Sequence, residues 1–151
     1  MTVTSTYGPT VSPRQAAVRR TRAPGHAWPL AHCPEAAKAA RTITRVVLAQ
    51  WRVADEAADS VLLTVSELVT NAVEHAQPPL HLELSRDPGT RRVHIEVRDG
   101  GPAATESAWA ASRTRGEHGR GLQIIDQLTA AHGDRAEPGH AIHWADVAIA
   151  A

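Results

Sequence analysis

The chain has 151 residues, which suits one compact domain with one core. Hydrophobic residues make up 42%, which excludes wholesale disorder, but with no Phe and a single Tyr the core must rest on Leu, Val, Ile, Ala and four Trp. Lys+Arg and Asp+Glu number 16 each, so no general electrostatic pull toward nucleic acid or anionic membrane is expected.

One cysteine, Cys33, cannot form an internal disulfide, which fits a reducing cytoplasm. No apolar run approaches the roughly 20 residues of a membrane span, and the N-terminus has no charged-then-apolar signal pattern. Residues 1–24 carry Thr, Ser, Pro and the cluster Arg19-Arg20-Thr21-Arg22, which reads as a disordered, solvated tail. The folded domain is expected over residues 25–151.

His26 to Leu30 reads as a short strand, placed at a sheet edge by Pro29. Pro34 suits the first position of a helix that runs to about Trp51, with Ala36, Ala40, Ile43, Val47 and Trp51 on one stripe. A second helix starts near Asp55, a good N-cap with Glu56 behind it. Its apolar stripe is Val61, Leu62, Val65, Leu68, Val69, Ala72 and Val73, and it ends before Pro78-Pro79.

Leu80, Leu82 and Leu84 then alternate with polar residues, as do Val93, Ile95 and Val97. With Asp87-Pro88-Gly89-Thr90 between them, these runs predict an antiparallel hairpin with one face on the core. Periodicity is lost from Gly100 to Gly119, and so long a linker in a small domain is usually functional. Gly121 to Ala131 reads as a helix with Leu122, Ile125 and Leu128 inward. His140 to Ile149 reads as a last strand whose alternation changes phase after Trp144, which suggests a bulge. The expected fold is a two-layer α/β sandwich, its sheet mixed or antiparallel, with helices on one face.

Three segments carry the chemistry. Glu67 and Asn71, four apart, share a helix face beside the buried stripe. The pair fits plain helix-surface polarity. It also offers an amide oxygen to a hard cation such as magnesium and a carboxylate able to take a proton. Asp99 ends a strand on the same face as Val93, Ile95 and Val97, and Gly100-Gly101 follows. It fits a turn, or an acceptor for a ligand amine, with Gly101 letting a flat ring approach the backbone. Gly119-Arg120-Gly121-Leu122 precedes a helix, where backbone N–H groups can face phosphate oxygens. Neither a Walker A motif nor a dinucleotide Gly fingerprint is present. His140 and His143 lie on opposite strand faces, and no second His pair or cysteine cluster completes a zinc set.

Taken together, Glu67-Leu68-Val69-Thr70-Asn71-Ala72, Asp99-Gly100-Gly101 and Gly119-Arg120-Gly121-Leu122 resemble, in this order and spacing, the N, G1 and G2 boxes of the GHKL ATPase family. The run from Ser66 to Ala76 is most similar to its histidine-kinase-like branch, the bacterial anti-sigma factors and serine/threonine kinases of the RsbW and SpoIIAB type. The resemblance covers about Trp28 to Val147. It implies a Bergerat-type ATP-binding fold with ATP and magnesium as cofactors.

By that resemblance Glu67 is the base and Asn71 holds magnesium. Asp99 binds the adenine amino group with Gly101 beneath the ring. Gly119, Arg120, Gly121 and Leu122 bracket the phosphates, and residues 104–118 form the ATP lid. The implied partners are an anti-anti-sigma-like protein and a sigma factor, with a homodimer also expected from the family's habits. A module that binds ATP and a partner without catalysis is the alternative. Two positions depart from the pattern. Ala103 stands where a second glycine is usual, and Ala141 stands where the last strand usually carries a hydroxyl.

Overall fold

The structure, a computed structural model, describes residues 25–103 and 123–149. The expected tail (1–24), the expected lid (104–118), and Gly119, Arg120, Gly121 and Leu122 lie outside the described residues.

Helix α1 spans Ala36–Gln50 and buries Ala36, Ala40, Thr44, Val47 and Leu48. Thr44 belongs to this stripe because its hydroxyl donates to the Ala40 carbonyl at 2.7 Å, leaving only a methyl to the core. Pro34 falls in the turn ahead of α1, whose N-cap is Glu35. Helix α2 spans Asp55–His75. Asp55, expected as its N-cap, is instead the first helical residue. Ala54 occupies the cap without a side-chain bond, while Asp55 and Glu56 face the positive end of the helix dipole. Val61, Val65, Leu68, Val69, Ala72 and Val73 are buried as their spacing predicts. At the far end His32 Nε2–H donates to the Ala76 carbonyl at 2.8 Å.

The strands are β1 (His26–Leu30), β2 (Leu80–Asp87), β3 (Arg92–Asp99), β4 (Ala131–Glu137) and β5 (His140–Ala148). They form one sheet in the order β1-β2-β3-β5-β4, and every pairing is antiparallel. β1 is an edge strand, as Pro29 requires. In the β2–β3 hairpin Leu82 faces Val97 and Leu84 faces Ile95. Asp87 Oδ1 closes the turn by accepting the N–H groups of Gly89 and Thr90 at 2.9 and 3.3 Å. The core lies between this face and the helices, joining Leu80, Leu82, Leu84, Val93, Ile95 and Val97 to the α2 stripe and to Val47 and Leu48. Among the described residues no helix is long and apolar enough to cross a membrane.

The structure departs from the sequence expectation in three further places. The predicted helix to Ala131 is helical at 123–128, and Ala131–Glu137 is a strand. β4 carries no apolar alternation because it is the outer edge and buries little. β5 pairs with β3 without a bulge, from Arg92↔Ala148 to Asp99↔Ala141. The apparent phase change arises because both faces of β5 are buried: Ala145 and Val147 face the helices, and Ile142 and Trp144 face outward. Finally, the outward residues of the central strands are buried rather than solvated. His94 satisfies Asp146 through Nδ1 at 2.7 Å and Glu96 through Nε2 at 3.1 Å, and its ring stacks on Trp144.

The end of β3 is tied to the end of α2. Gly100 N–H donates to the Gln77 carbonyl at 2.6 Å, Gln77 N–H to the Gly101 carbonyl at 2.8 Å, and Ala103 N–H to the His75 carbonyl at 2.9 Å. A Cβ on Gly100 would sit 2.1 Å from the Pro78 carbonyl oxygen, whereas Gly101, at φ +94°, faces open space. Gly100→Ala should therefore cost about 3 kcal/mol through a backbone clash. Gly101→Ala should cost less, about 1–2 kcal/mol, from the left-handed conformation alone. Urea unfolding of the two variants would check both the magnitudes and their order.

Candidate functional site

A cavity of about 470 Å³ opens between the C-terminal half of α2 and the adjoining ends of β3, β5 and β4. This is the size of a small-molecule site. Leu68, Ala76, Pro102, Ile125 and Trp144 supply its apolar wall. Its polar groups are Asn71 and His75 from α2, Asp99 from β3, His132 and Asp134 from β4, and His143 from β5. Apolar walls with a few converging polar groups suit a ligand that has a flat apolar body and a polar edge.

Asp99 is the most buried of these polar groups, at 1% exposure. The alternation of β3 turns it to the helix side with Val93, Ile95 and Val97. Its Oδ1 accepts the Gly101 N–H at 2.8 Å, closing a short turn at the end of β3. Its Oδ2 lies 2.9 Å from His143 Nε2. The other ring nitrogen, His143 Nδ1, lies 2.5 Å from Asp134 Oδ1. The imidazole thus spans a buried and an exposed carboxylate across three neighbouring strands.

Burial pushes the His143 proton off, but the hydrogen bonds to Asp134 and Asp99 outweigh it and raise the ring to about 9. The hydrogen bond from His143 holds Asp134 below its ordinary value against the opposing effect of burial. At neutral pH His143 is therefore an imidazolium, and both of its N–H groups donate.

Asn71 and Asp99, predicted from separate segments, line the same cavity. Gly101 is buried beside it, one residue before the wall residue Pro102. Ala141 is also on the wall and stands directly opposite Asp99 in the β3–β5 register. Glu67 is half-buried one helical turn before Asn71 and is not part of the wall. Among the described residues no group of three or more His, Cys, Asp or Glu side chains is arranged to hold a metal ion.

Sequence reasoning missed His143 and Asp134 as site residues. His143 is two residues beyond Ala141, so strand alternation alone puts both on one face. What was lacking was the β3–β5 register that brings this face to Asp99. Asp134 could not be found because β4 has no strand signature.

The paired shifts make stability depend on pH. His143 binds its proton more tightly in the folded chain, so its contribution is complete below pH 6.5 and is lost as pH rises through about 9. Asp134 acts oppositely: its contribution is complete above 3.8 and fades in stronger acid. The ring is 32% exposed, so solvent screening limits the alkaline loss to about 2 kcal/mol. Unfolding free energy should fall by that amount between pH 6.5 and pH values above 9. The slope should flatten in His143→Gln, as denaturant melts at each pH would show.

The sequence profile of the family described as "Histidine kinase-like ATPase domain" matches residues 30–142, well over half of the chain. A comparison with curated proteins yields no match. Among solved structures, the chain is similar to the RsbU and RsbW domains of Rv1364c from Mycobacterium tuberculosis. The TM-score is 0.64 at 20% identity, over 84% of this chain and 33% of that one. The chain thus spans a third of the length of that solved chain. It is also similar to the SiaB-SiaC complex from Pseudomonas aeruginosa, with a TM-score of 0.53 at 13% identity, over 91% of this chain and 96% of that one. At these identities the likeness to both is one of fold. The α/β architecture, the site segments in their order and the matched profile together establish that the chain belongs to the histidine kinase-like ATPase domain family.

Proposed function

We propose that the protein is an ATP-binding regulator that phosphorylates an anti-anti-sigma-type partner and sequesters a sigma factor in the cytoplasm. The observation that carries the nucleotide part is the convergence of Asn71 and Asp99 on one cavity with apolar walls. In this reading Asp99 accepts a hydrogen bond from the adenine amino group. The ring lies against the backbone of Gly101, where no side chain intervenes and a Cβ would meet only open space. The residues present fit a magnesium nucleotide: Asn71 offers a hard amide oxygen on the cavity wall. Bound magnesium would neutralise phosphate charge. Gly119, Arg120, Gly121 and Leu122 take the phosphates. Glu67 takes the proton of the incoming serine hydroxyl.

Support for a protein partner comes from the structural neighbours, one an RsbW domain solved together with an RsbU domain and one part of a two-protein complex. A second reading is a module that binds ATP and a partner without transferring phosphate. It draws on Ala141, which puts no hydroxyl opposite Asp99, and on Glu67, which stands off the cavity wall.

Isothermal titration with Mg-ATP tests the nucleotide site. The wild-type chain should bind, and Asp99→Asn should lose on the order of 30-fold in affinity, about 2 kcal/mol. Equal binding by the two would mean that the base sits elsewhere. Glu67→Gln separates the two readings. For a kinase it should abolish labelled-phosphate transfer to the partner while leaving Mg-ATP affinity within a few-fold. For a binding module, mass spectrometry should find no phosphorylated partner even with the wild-type chain.

A further inference from the structure

We propose that His143 is the positioning residue of the base-binding carboxylate: bridging Asp134 on the edge strand and Asp99 in the cavity, it supplies the hydrogen bond that Ala141 cannot. The proposal rests on the nucleotide reading above. It assigns a role to a residue that lies one position beyond the matched family segment, which ends at Ile142.

Ala141 is the register partner of Asp99 and has no hydrogen-bonding side chain. A buried carboxylate cannot leave an oxygen without a donor at small cost. Oδ1 is served by Gly101 N–H, which leaves Oδ2 to the neighbouring strand. His143 faces the same side two residues along β5 and reaches Oδ2 at 2.9 Å. The ring is itself oriented from behind by Asp134, so its direction is set by β4 as well as β5. The doubly protonated state described above lets Nε2–H and Nδ1–H donate at once.

An ionised carboxylate has about four acceptor positions. Gly101 and His143 take one on each oxygen. The remaining positions are therefore fixed in direction, and a donor on the edge of a flat ring is what fits them. An acceptor at that edge, such as a carbonyl oxygen, would face negative charge. The device thus favours a purine bearing an exocyclic amino group over one bearing a carbonyl at the same place. The other ionisable groups on the cavity wall are His75 at the end of α2 and His132 on β4. His132 Nε2 pairs with Asp126 at 3.3 Å and its charge adds to the lowering of Asp134, while His75 Nε2 lies 3.3 Å from Glu74 Oε2.

The two nitrogens allow a test that a space-filling role would not pass. Gln at 143 can imitate the Nε2–H that serves Asp99, whereas Asn can imitate only the Nδ1–H that serves Asp134. Full-length wild type, His143→Gln, His143→Asn and His143→Ala are titrated with Mg-ADP and Mg-GDP. Their folding is checked by circular dichroism. Wild type and His143→Gln should bind Mg-ADP within about threefold of each other. His143→Asn and His143→Ala should bind it on the order of tenfold more weakly and lose preference over Mg-GDP. Adding Ala141→Ser to His143→Ala should recover part of the loss.

Nitrogen NMR of the wild-type chain gives a readout independent of any variant. The His143 Nε2 resonance should move on addition of Mg-ADP, because Asp99 gains a third donor. Equal affinities for His143→Gln, His143→Asn and wild type would overturn the proposal, as would an unmoved Nε2 resonance in a chain that binds Mg-ADP. A wild-type chain that binds neither nucleotide would instead remove the nucleotide reading on which the proposal stands.

Discussion

The carboxylate of Asp99 is 1% exposed, and burial at that depth is costly unless donors reach both oxygens. Much of the surrounding structure follows from this requirement. One donor is the Gly101 N–H, which points back at Oδ1 where the chain turns after β3. That turn brings Gly100 under the Pro78 carbonyl, where any side chain would collide. The backbone bonds from Gly100 to Gln77 and from Ala103 to His75 then hold the end of β3 against the end of α2. Asn71, one turn inside α2, is thereby held on the same cavity as Asp99.

The second donor comes from the other side of the strand, and it draws the edge of the sheet into the site. His143 needs to be charged to serve two acceptors, and two carboxylates keep it so despite its burial. A polar edge strand without an apolar pattern therefore has a structural use. β4 contributes little to the core, but it orients the ring that orients Asp99. The outward face of the same strands uses a comparable solution, with His94 between Asp146 and Glu96. In both places a histidine lets acidic side chains be buried by pairing them rather than by leaving them to water.

Most of the architecture could be read from the chain. The α2 stripe, the β2–β3 hairpin and the edge position of β1 rest on local periodicity and on proline, which act within a few residues. Asn71 and Asp99, which helix face and strand phase single out, line one cavity. The differences have separate physical causes. β4 reads as helix end and loop because an edge strand that buries so little has no alternation to show. The supposed bulge in β5 arose because burial of both faces of a strand erases its period. Asp55 was placed one position early because Ala54 caps α2 without a side-chain bond.

By itself the sequence determined on which local element, and on which face of it, each candidate residue stands. Glu67 and Asn71 share a helix face, Asp99 ends an inward strand face, and Ala141 and His143 share the face of another strand. These statements depend only on the periods of helix and strand. The tertiary structure alone decided which of those faces meet. The pairing of β5 between β3 and β4 set Ala141 opposite Asp99 and put His143 between Asp99 and Asp134. Such pairing joins residues more than 40 positions apart, and no local pattern encodes the register at which two strands lock. A histidine that spacing alone presented as one of nine is, in the folded chain, the side chain that completes the bonding of Asp99.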